Sequence, residues 1–403
     1  MTPRLTNIHV HIFNAKCAPD YFFKMVLPAG LDKFADEIKA FLENKSIRWL
    51  IRRLSRKHGN SLFQKYLNFI EAGSQNSQLD VFRNALKNYD SLRPDMRFAA
   101  LTVNLDYMDR EKSHHARIEE QLLEIEKVRS YYPNMLFPFL AVDPRHKTGS
   151  DLVRWVAEKI ERRVFFGIKI YPALGFFPFH PGLDELYRWA AENEIPVMTH
   201  CTRSGNYYTG KMSEVIQYNR PPSLNPGSSV MDSIYARIDR FMSHKITRND
   251  SKKGCNVFSN PENYIPVLEK YPKLKLCLAH FGGSDELLLV KNELVTRGID
   301  NLPEWGLRII DLMERFPHVC TDVSYTLSSD KAMDVVIPLL KQPIGQRILF
   351  GTDFFMTVRE KAEDKLWQEC ISKITLPQFE LMAGSNNDNY LKSKFYNPAI
   401  PFV

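Results

Sequence analysis

His9 and His11 stand two residues apart within the apolar run Thr6–Phe13. Alternate residues of a strand share a face, so both imidazoles can point the same way and chelate a divalent ion. Taken alone the pair is weak, because strand histidines more often serve as solvated or hydrogen-bonded structural groups. Three more polar side chains end later apolar runs: His200 in Ile195–His200, His280 in Lys275–His280 and Asp353 in Arg347–Asp353. A polar group at the end of a buried strand needs a partner to offset its desolvation. One such group could find a water or a carbonyl, but five at one structural level point to a shared ion. Imidazole and carboxylate together suit Zn²⁺, with a position left open for water. Asp353 can be a ligand, a base, or both.

These groups need a frame that gathers strand ends. Eight β-branched-rich apolar runs recur: the four above plus Arg97–Asn104, Met135–Val142, Val164–Tyr171 and His318–Val323. Between them lie amphipathic stretches, among them Ile118–Tyr131, Leu152–Arg162, Leu183–Asn193 and Glu304–Phe316. Strands alternating with helices predict an α/β chain folded as a (β/α)8 TIM barrel, residues 1–403 forming one domain. The surplus length falls after the first strand, residues 14–96, and after the fifth, residues 201–273, both on the side where barrel active sites lie.

Composition agrees with an ordinary globular protein: 44% of the 403 residues are hydrophobic and 25% charged. The six cysteines form no Cys-x-x-Cys pair, which excludes a thiolate zinc finger and predicts free thiols. No run is long enough to span a bilayer and the first residues lack a secretory core, so a cytoplasmic protein with no integral membrane association is expected. The net charge of +7 is modest and calls for no nucleic acid. Seven basic residues and no acidic one lie between Asn44 and Ile70. Ser46–Lys57 there reads as an amphipathic helix, better explained as a lid over the barrel mouth than as a membrane or nucleic-acid surface.

In order along the chain, His9-Val-His11, Gly167-Ile-Lys-Ile-Tyr-Pro172, Thr199-His200, Ala279-His-Phe-Gly-Gly283 and Gly351-Thr-Asp353 resemble the amidohydrolase superfamily. The likeness is to the amidohydrolase-related branch that includes aminocarboxymuconate semialdehyde decarboxylase, and Ala383–Asn387 resembles that branch's late Asn-containing turn. The resemblance implies one metal ion, usually zinc, held by His9, His11, His200 and Asp353, with His280 beside the metal-bound water; Mn²⁺ is the other option. In some amidohydrolases a lysine ending the fourth strand is carboxylated and bridges two metals. Lys169 is read instead as an unmodified cation.

Lys169, Arg203 and Tyr171 are the expected substrate-binding residues, favouring a small, carboxylate-bearing molecule. Asp143, Arg145 and Tyr325 are weaker mouth candidates, and Asp322 can face either way. His280 and Asp353 are the expected catalytic groups. The first reading is a hydrolase acting on an ester, lactone or amide. Its alternatives are non-oxidative decarboxylation of an unsaturated or aromatic acid, and a non-catalytic binding protein on the same barrel. Whether the chain forms a homodimer stays open.

Overall fold

The computed structural model describes residues 4–14, 17, 19, 72, 75–89, 96–108, 115–203, 205–213, 215, 229–243, 256–293 and 305–400. Eight short strands run through them: β1 (Thr6–Val10), β2 (Arg97–Ala100), β3 (Phe139–Val142), β4 (Gly167–Ile170), β5 (Val197–Thr202), β6 (Leu276–Gly282), β7 (Val319–Asp322) and β8 (Ile348–Leu349). Every ladder between them is parallel. β1 pairs with β2, and β3 to β8 follow in sequence order. Single bridges join the two sheets on both sides: Phe98 to Leu136 and Leu101 to Phe139, then Val10 to Phe354. Ile8 N donates to Phe350 O (2.9 Å) and Asp353 N to His9 O (2.8 Å), closing the ring between β8 and β1. The fold is a TIM barrel.

The helices that cover it follow from spacing. Gly149–Glu161 buries Leu152, Val156 and Ile160, four residues apart, and Trp305–Arg315 buries Leu307, Ile310 and Ile309 with Leu312 and Met313. Inside, register sets which side chains share a level. Ala141, Lys169, Met198, Cys277 and Cys320 are successive partners across five strands, so they form one inward layer. Below it Ile8, Ala99, Phe139 and Leu349 pack with Tyr390 and Tyr396 from the C-terminal segment.

All eight expected strands are present, mostly within shorter bounds. The eighth stops at Leu349 because Gly351–Asp353 leaves the ladder, Asp353 taking a left-handed φ of 63°. The Asn-containing turn expected at Ala383–Asn387 is instead helical: a π-helical turn, Leu381–Asn386, runs into the helix Asn387–Leu391. Its two asparagines answer carbonyls in and beside β8 and β1. Asn386 Nδ2 donates to Gly345 O and Ile348 O (both 2.8 Å), and Asn387 Nδ2 to Thr6 O (2.7 Å) and Phe350 O (3.1 Å). With β8 only two residues long, these amides supply hydrogen bonds that a longer ladder would have made.

The basic helix expected at Ser46–Lys57, and the lid role given to it, lie outside the described residues. Of the insertion after the fifth strand, the described residues include the helix Ser229–Met242 and the turn Pro261–Tyr264. No helix among the described residues is long and apolar enough to cross a membrane.

Asn387→Ala removes both bonds at the β8/β1 seam and leaves two buried carbonyls with one fewer donor. Urea unfolding should show a loss of about 1–3 kcal/mol, with the native fold retained.

Candidate metal centre and its cavity

The site begins in β1, whose register with β2 slips between Asn7 and Val10. Asn7 Oδ1 accepts from His9 N (3.2 Å), and Asn7 Nδ2 donates to Tyr89 Oη (2.8 Å) and Thr352 Oγ1 (2.7 Å). His9 lies against Gly351, where a Cβ would come within 2.7 Å of the His9 Cβ. Only glycine lets the β1 backbone at His9 come this close.

The hydrogen bonds assign the tautomers. His11 Nδ1 faces Leu101 O at 3.0 Å, and a carbonyl only accepts, so Nδ1 carries the proton and Nε2 presents a lone pair. His9 Nδ1 likewise faces Asp322 Oδ2 at 2.8 Å. The two bare Nε2 atoms then lie 3.4 Å (His9) and 3.2 Å (His11) from Asp353 Oδ1. His9 Nε2 and Asp353 Oδ1 are buried without a hydrogen-bond partner. One proton can satisfy a single nitrogen–oxygen pair here, whereas a divalent cation satisfies all three atoms, so the donor set fits a metal ion. Burial pushes the His9 imidazole well below its ordinary pKa, with Lys169 and His11 adding to the shift. Burial pushes the Asp353 carboxyl up, and His11 and Lys169 oppose it.

His280 reaches the site by a backbone reversal. His200 pairs with Ala279, so regular alternation would turn His280 outward. A left-handed φ of 69° at His280, followed by 49° at Phe281, swings the ring back. Asp322 holds that conformation, since its Oδ1 accepts from His280 N (2.9 Å) and Ser324 N (3.0 Å). Ser324 Oγ also bonds Asp322 Oδ1, and lies 2.9 Å from both His9 Nδ1 and His280 Nδ1. A single buried carboxylate with its serine therefore orients two functional histidines. Neither the Asp322 role nor that of Ser324 was foreseen from sequence. The inward parity of Cys320 on β7 is the signal that could have placed Asp322.

The sequence-predicted ligands do not all assemble alike. His9, His11 and Asp353 form one group with metal-ligand spacing, and His9, His280 and Asp322 form a second. His200 is in neither. Its Nδ1 lies 3.1 Å from His280 Nε2, and its ring stacks on Tyr171 with centroids 4.1 Å apart. Gly205, at φ 104°, closes over both rings: a Cβ there would lie 2.5 Å from Tyr171 Oη and 2.8 Å from His200 Nε2.

The cavity above these groups measures about 220 Å³ and is floored by His11, His200, His280 and Asp353. Phe13, Tyr171, Tyr207 and Met356 supply apolar wall, and Tyr325 and Arg359 supply polar wall. Two expected substrate residues are corrected. Lys169 is fully buried below the cavity and its Nζ has no hydrogen-bond partner. Burial pulls its pKa down to about 8, against the fields of Asp322 and Asp353. Arg203 turns away: Nε bonds Glu286 Oε1 at 2.5 Å and the guanidinium lies 4.8 Å from the Trp305 ring centre. Arg145 is bound to Asp143 (Nε to Oδ1, 2.8 Å) and lines no part of this cavity. Behind β8, Glu363 Oε1 accepts from Thr352 Oγ1 (2.6 Å) and from Tyr89 Oη.

The sequence pattern of the amidohydrolase family matches residues 111–386. No curated protein matches the chain. Among solved structures, the barrel is similar to that of 5-carboxyvanillate decarboxylase from Sphingomonas paucimobilis, at 12% identity and a TM-score of 0.52 over 96% of this chain and 98% of that one. It is also similar to a 5-carboxyvanillate decarboxylase from Novosphingobium aromaticivorans with bound manganese and 3-methoxy-4-hydroxy-5-nitrobenzoic acid. That match has 12% identity and a TM-score of 0.53 over 96% and 97% of the two chains. At such identity the likeness establishes the shared barrel.

Two outcomes follow for the buried acids. Asp322→Asn keeps the size but weakens the hold on His9 Nδ1–H, and should lower metal affinity about 10–100-fold, measured by competition with a chelator. Burial raises the Glu363 carboxyl to about 7, above its value in the unfolded chain. Its contribution is therefore full below the unfolded pKa near 4.5 and is lost as pH rises through 7. Glu363→Gln should remove that loss, raising stability at pH 8 relative to wild type by on the order of 3 kcal/mol, with little difference at pH 4 in parallel denaturant titrations.

Proposed function

The chain belongs to the amidohydrolase family, and from the chemistry of its barrel mouth we propose that it is a metal-dependent decarboxylase of an unsaturated or aromatic carboxylic acid. The observation that carries this reading is a cation-demanding floor beneath aromatic walls. Asp322 and Asp353 supply two buried negative charges, and Lys169 one positive charge. A divalent ion leaves this set with an excess of positive charge, which favours an anionic substrate over a neutral ester, lactone or amide. Phe13, Tyr171 and Tyr207 offer flat surface to a conjugated acid. The fold shared along almost the whole chain with two decarboxylases supports the same choice.

His9, His11 and Asp353 would hold the ion, with His200 as a fourth ligand; Zn²⁺ and Mn²⁺ both suit nitrogen and carboxylate donors. When bound, the ion supplies Lewis-acid polarisation of a substrate oxygen. The chain's own residues do the rest. Tyr171 and Phe13 orient the ring, and Gly205 keeps the Tyr171–His200 stack in place. One proton serves both nitrogens across the 3.1 Å between His200 Nδ1 and His280 Nε2. As the bond to the departing carboxyl breaks, its electron pair stays on the substrate carbon, and His280 delivers the proton that replaces carbon dioxide. Residues 1–403 act as one barrel domain in this reading, with Gly205, Asn206 and Tyr207 of the insertion after β5 lining the entrance.

The test pairs ortho-hydroxybenzoic and unsaturated acids with a panel of lactones, esters and amides. Carbon dioxide should be released from an acid, stop on chelation and return with Zn²⁺ or Mn²⁺. His280→Asn should lower kcat about 10²–10⁴-fold with the metal retained. Hydrolysis of a lactone or amide without carbon dioxide release from any acid would return the chain to the hydrolase reading.

A further inference from the structure

We propose that Asn206 is a specificity-determining residue, its side-chain amide selecting a conjugated acid that carries a neutral hydroxyl at a position away from the carboxyl that reacts. This rests on the decarboxylase reading above.

Asn206 lines the cavity and is 7% exposed. Its backbone N–H is taken, donating to Tyr171 Oη (3.0 Å). Its side-chain amide makes no hydrogen bond with any described residue, and, unlike His9 Nε2 and Asp353 Oδ1, its polar atoms are not sealed from solvent. An amide enclosed without a protein partner costs free energy unless water or a ligand bonds it. The cations nearby are already engaged or out of reach. Arg359 Nη2 donates to Tyr325 Oη, Tyr325 Oη donates to Glu360 Oε1 (3.3 Å), and Arg359 Nε lies 3.3 Å from the same carboxylate oxygen. Lys169 is beneath the floor and Arg203 is bound to Glu286. Among the described residues, the polar side chain that the walls leave open to substrate is therefore a neutral amide.

The backbone on either side holds this residue in place. Gly205 turns the chain over the floor at φ 104°, where a Cβ would lie 2.8 Å from His200 Nε2. Past Asn206, Tyr208 N donates to Ala173 O (2.9 Å) in the loop after β4. Thr209 N and Oγ1 both donate to Met108 O (2.8 and 2.9 Å) beyond β2. The span from Asn206 to Thr209 is thus pinned to two other loops, directly after the glycine that covers a floor histidine. A group fixed before the ligand arrives loses little freedom on binding, so its hydrogen bonds count towards selectivity.

A side-chain amide offers both a donor and an acceptor, and a hydroxyl answers either: it donates to Oδ1 or accepts from Nδ2. A methyl group of about the same size answers neither. It would displace water from the amide and leave a polar group without a partner, which a site built to bond a hydroxyl penalises. The floor takes the reacting carboxyl, and Asn206 meets the hydroxyl further along the same molecule.

Calorimetry on the metal-loaded full chain tests this without turnover. The probes are matched pairs, 3-hydroxybenzoate against 3-methylbenzoate and 4-hydroxybenzoate against 4-methylbenzoate, because an ortho hydroxyl could share the metal with the carboxyl. In at least one pair the wild type should bind the hydroxy acid about tenfold tighter. Asn206→Leu, of similar size, should erase or invert that preference with metal content unchanged. Asn206→Asp keeps an acceptor and should retain part of the preference while weakening both acids through like charge. A wild type that favours the hydroxyl in neither pair, or an Asn206→Leu chain that favours it as strongly as wild type, would overturn the assignment. If the preference depends on Asn206 but no acid loses carbon dioxide, the assignment stands and the decarboxylase reading fails.

Discussion

Three buried atoms with lone pairs, the Nε2 of His9 and His11 and Oδ1 of Asp353, face one another within about hydrogen-bonding range with too few protons to go round. In a low-dielectric interior that arrangement is costly unless a cation joins it. The rest of the barrel mouth can be understood as the means of keeping those atoms together. Gly351 makes room for His9, the slipped register of β1 brings both histidines to the floor, and the left-handed Asp353 turns its carboxylate towards them.

Support for this centre is concentrated in β7, which only β8 separates from β1. Asp322 grips the ring of His9 with one oxygen and the backbone of His280 with the other. In the proposed reading, metal retention and proton delivery thus share one anchor. Lys169, one layer lower, offsets part of the charge those two aspartates bring into the interior. The seam between β8 and β1 lies directly beneath Asp353, and it is closed by Asn387 from the last helix, so the C-terminal segment belongs to the site's foundation.

The strand ends were legible in the sequence because three of the eight apolar runs stop on a histidine or an aspartate and the first carries two histidines, and parallel barrel strands present such ends to one side. What stayed hidden was direction. Alternation assigns His280 to the outer face, and only the left-handed turn after Ala279 reverses it. Arg203 follows a strand bearing a proposed ligand and Arg359 follows another, so sequence position cannot rank them. Glu286 and Trp305, distant in the chain, decide the matter by capturing Arg203. The helical form of Ala383–Asn387 was equally hidden, since glycine, serine and asparagine read as turn residues until strand carbonyls claim the amides.

The central claim is that one divalent ion completes the His9, His11 and Asp353 group. Its most direct test is the metal content of the purified chain beside that of Asp353→Ala, by elemental analysis after exhaustive dialysis. The account predicts one tightly held ion per chain in the wild type and none in the variant. A wild-type chain that keeps no ion, or a variant that keeps the same one, would contradict it.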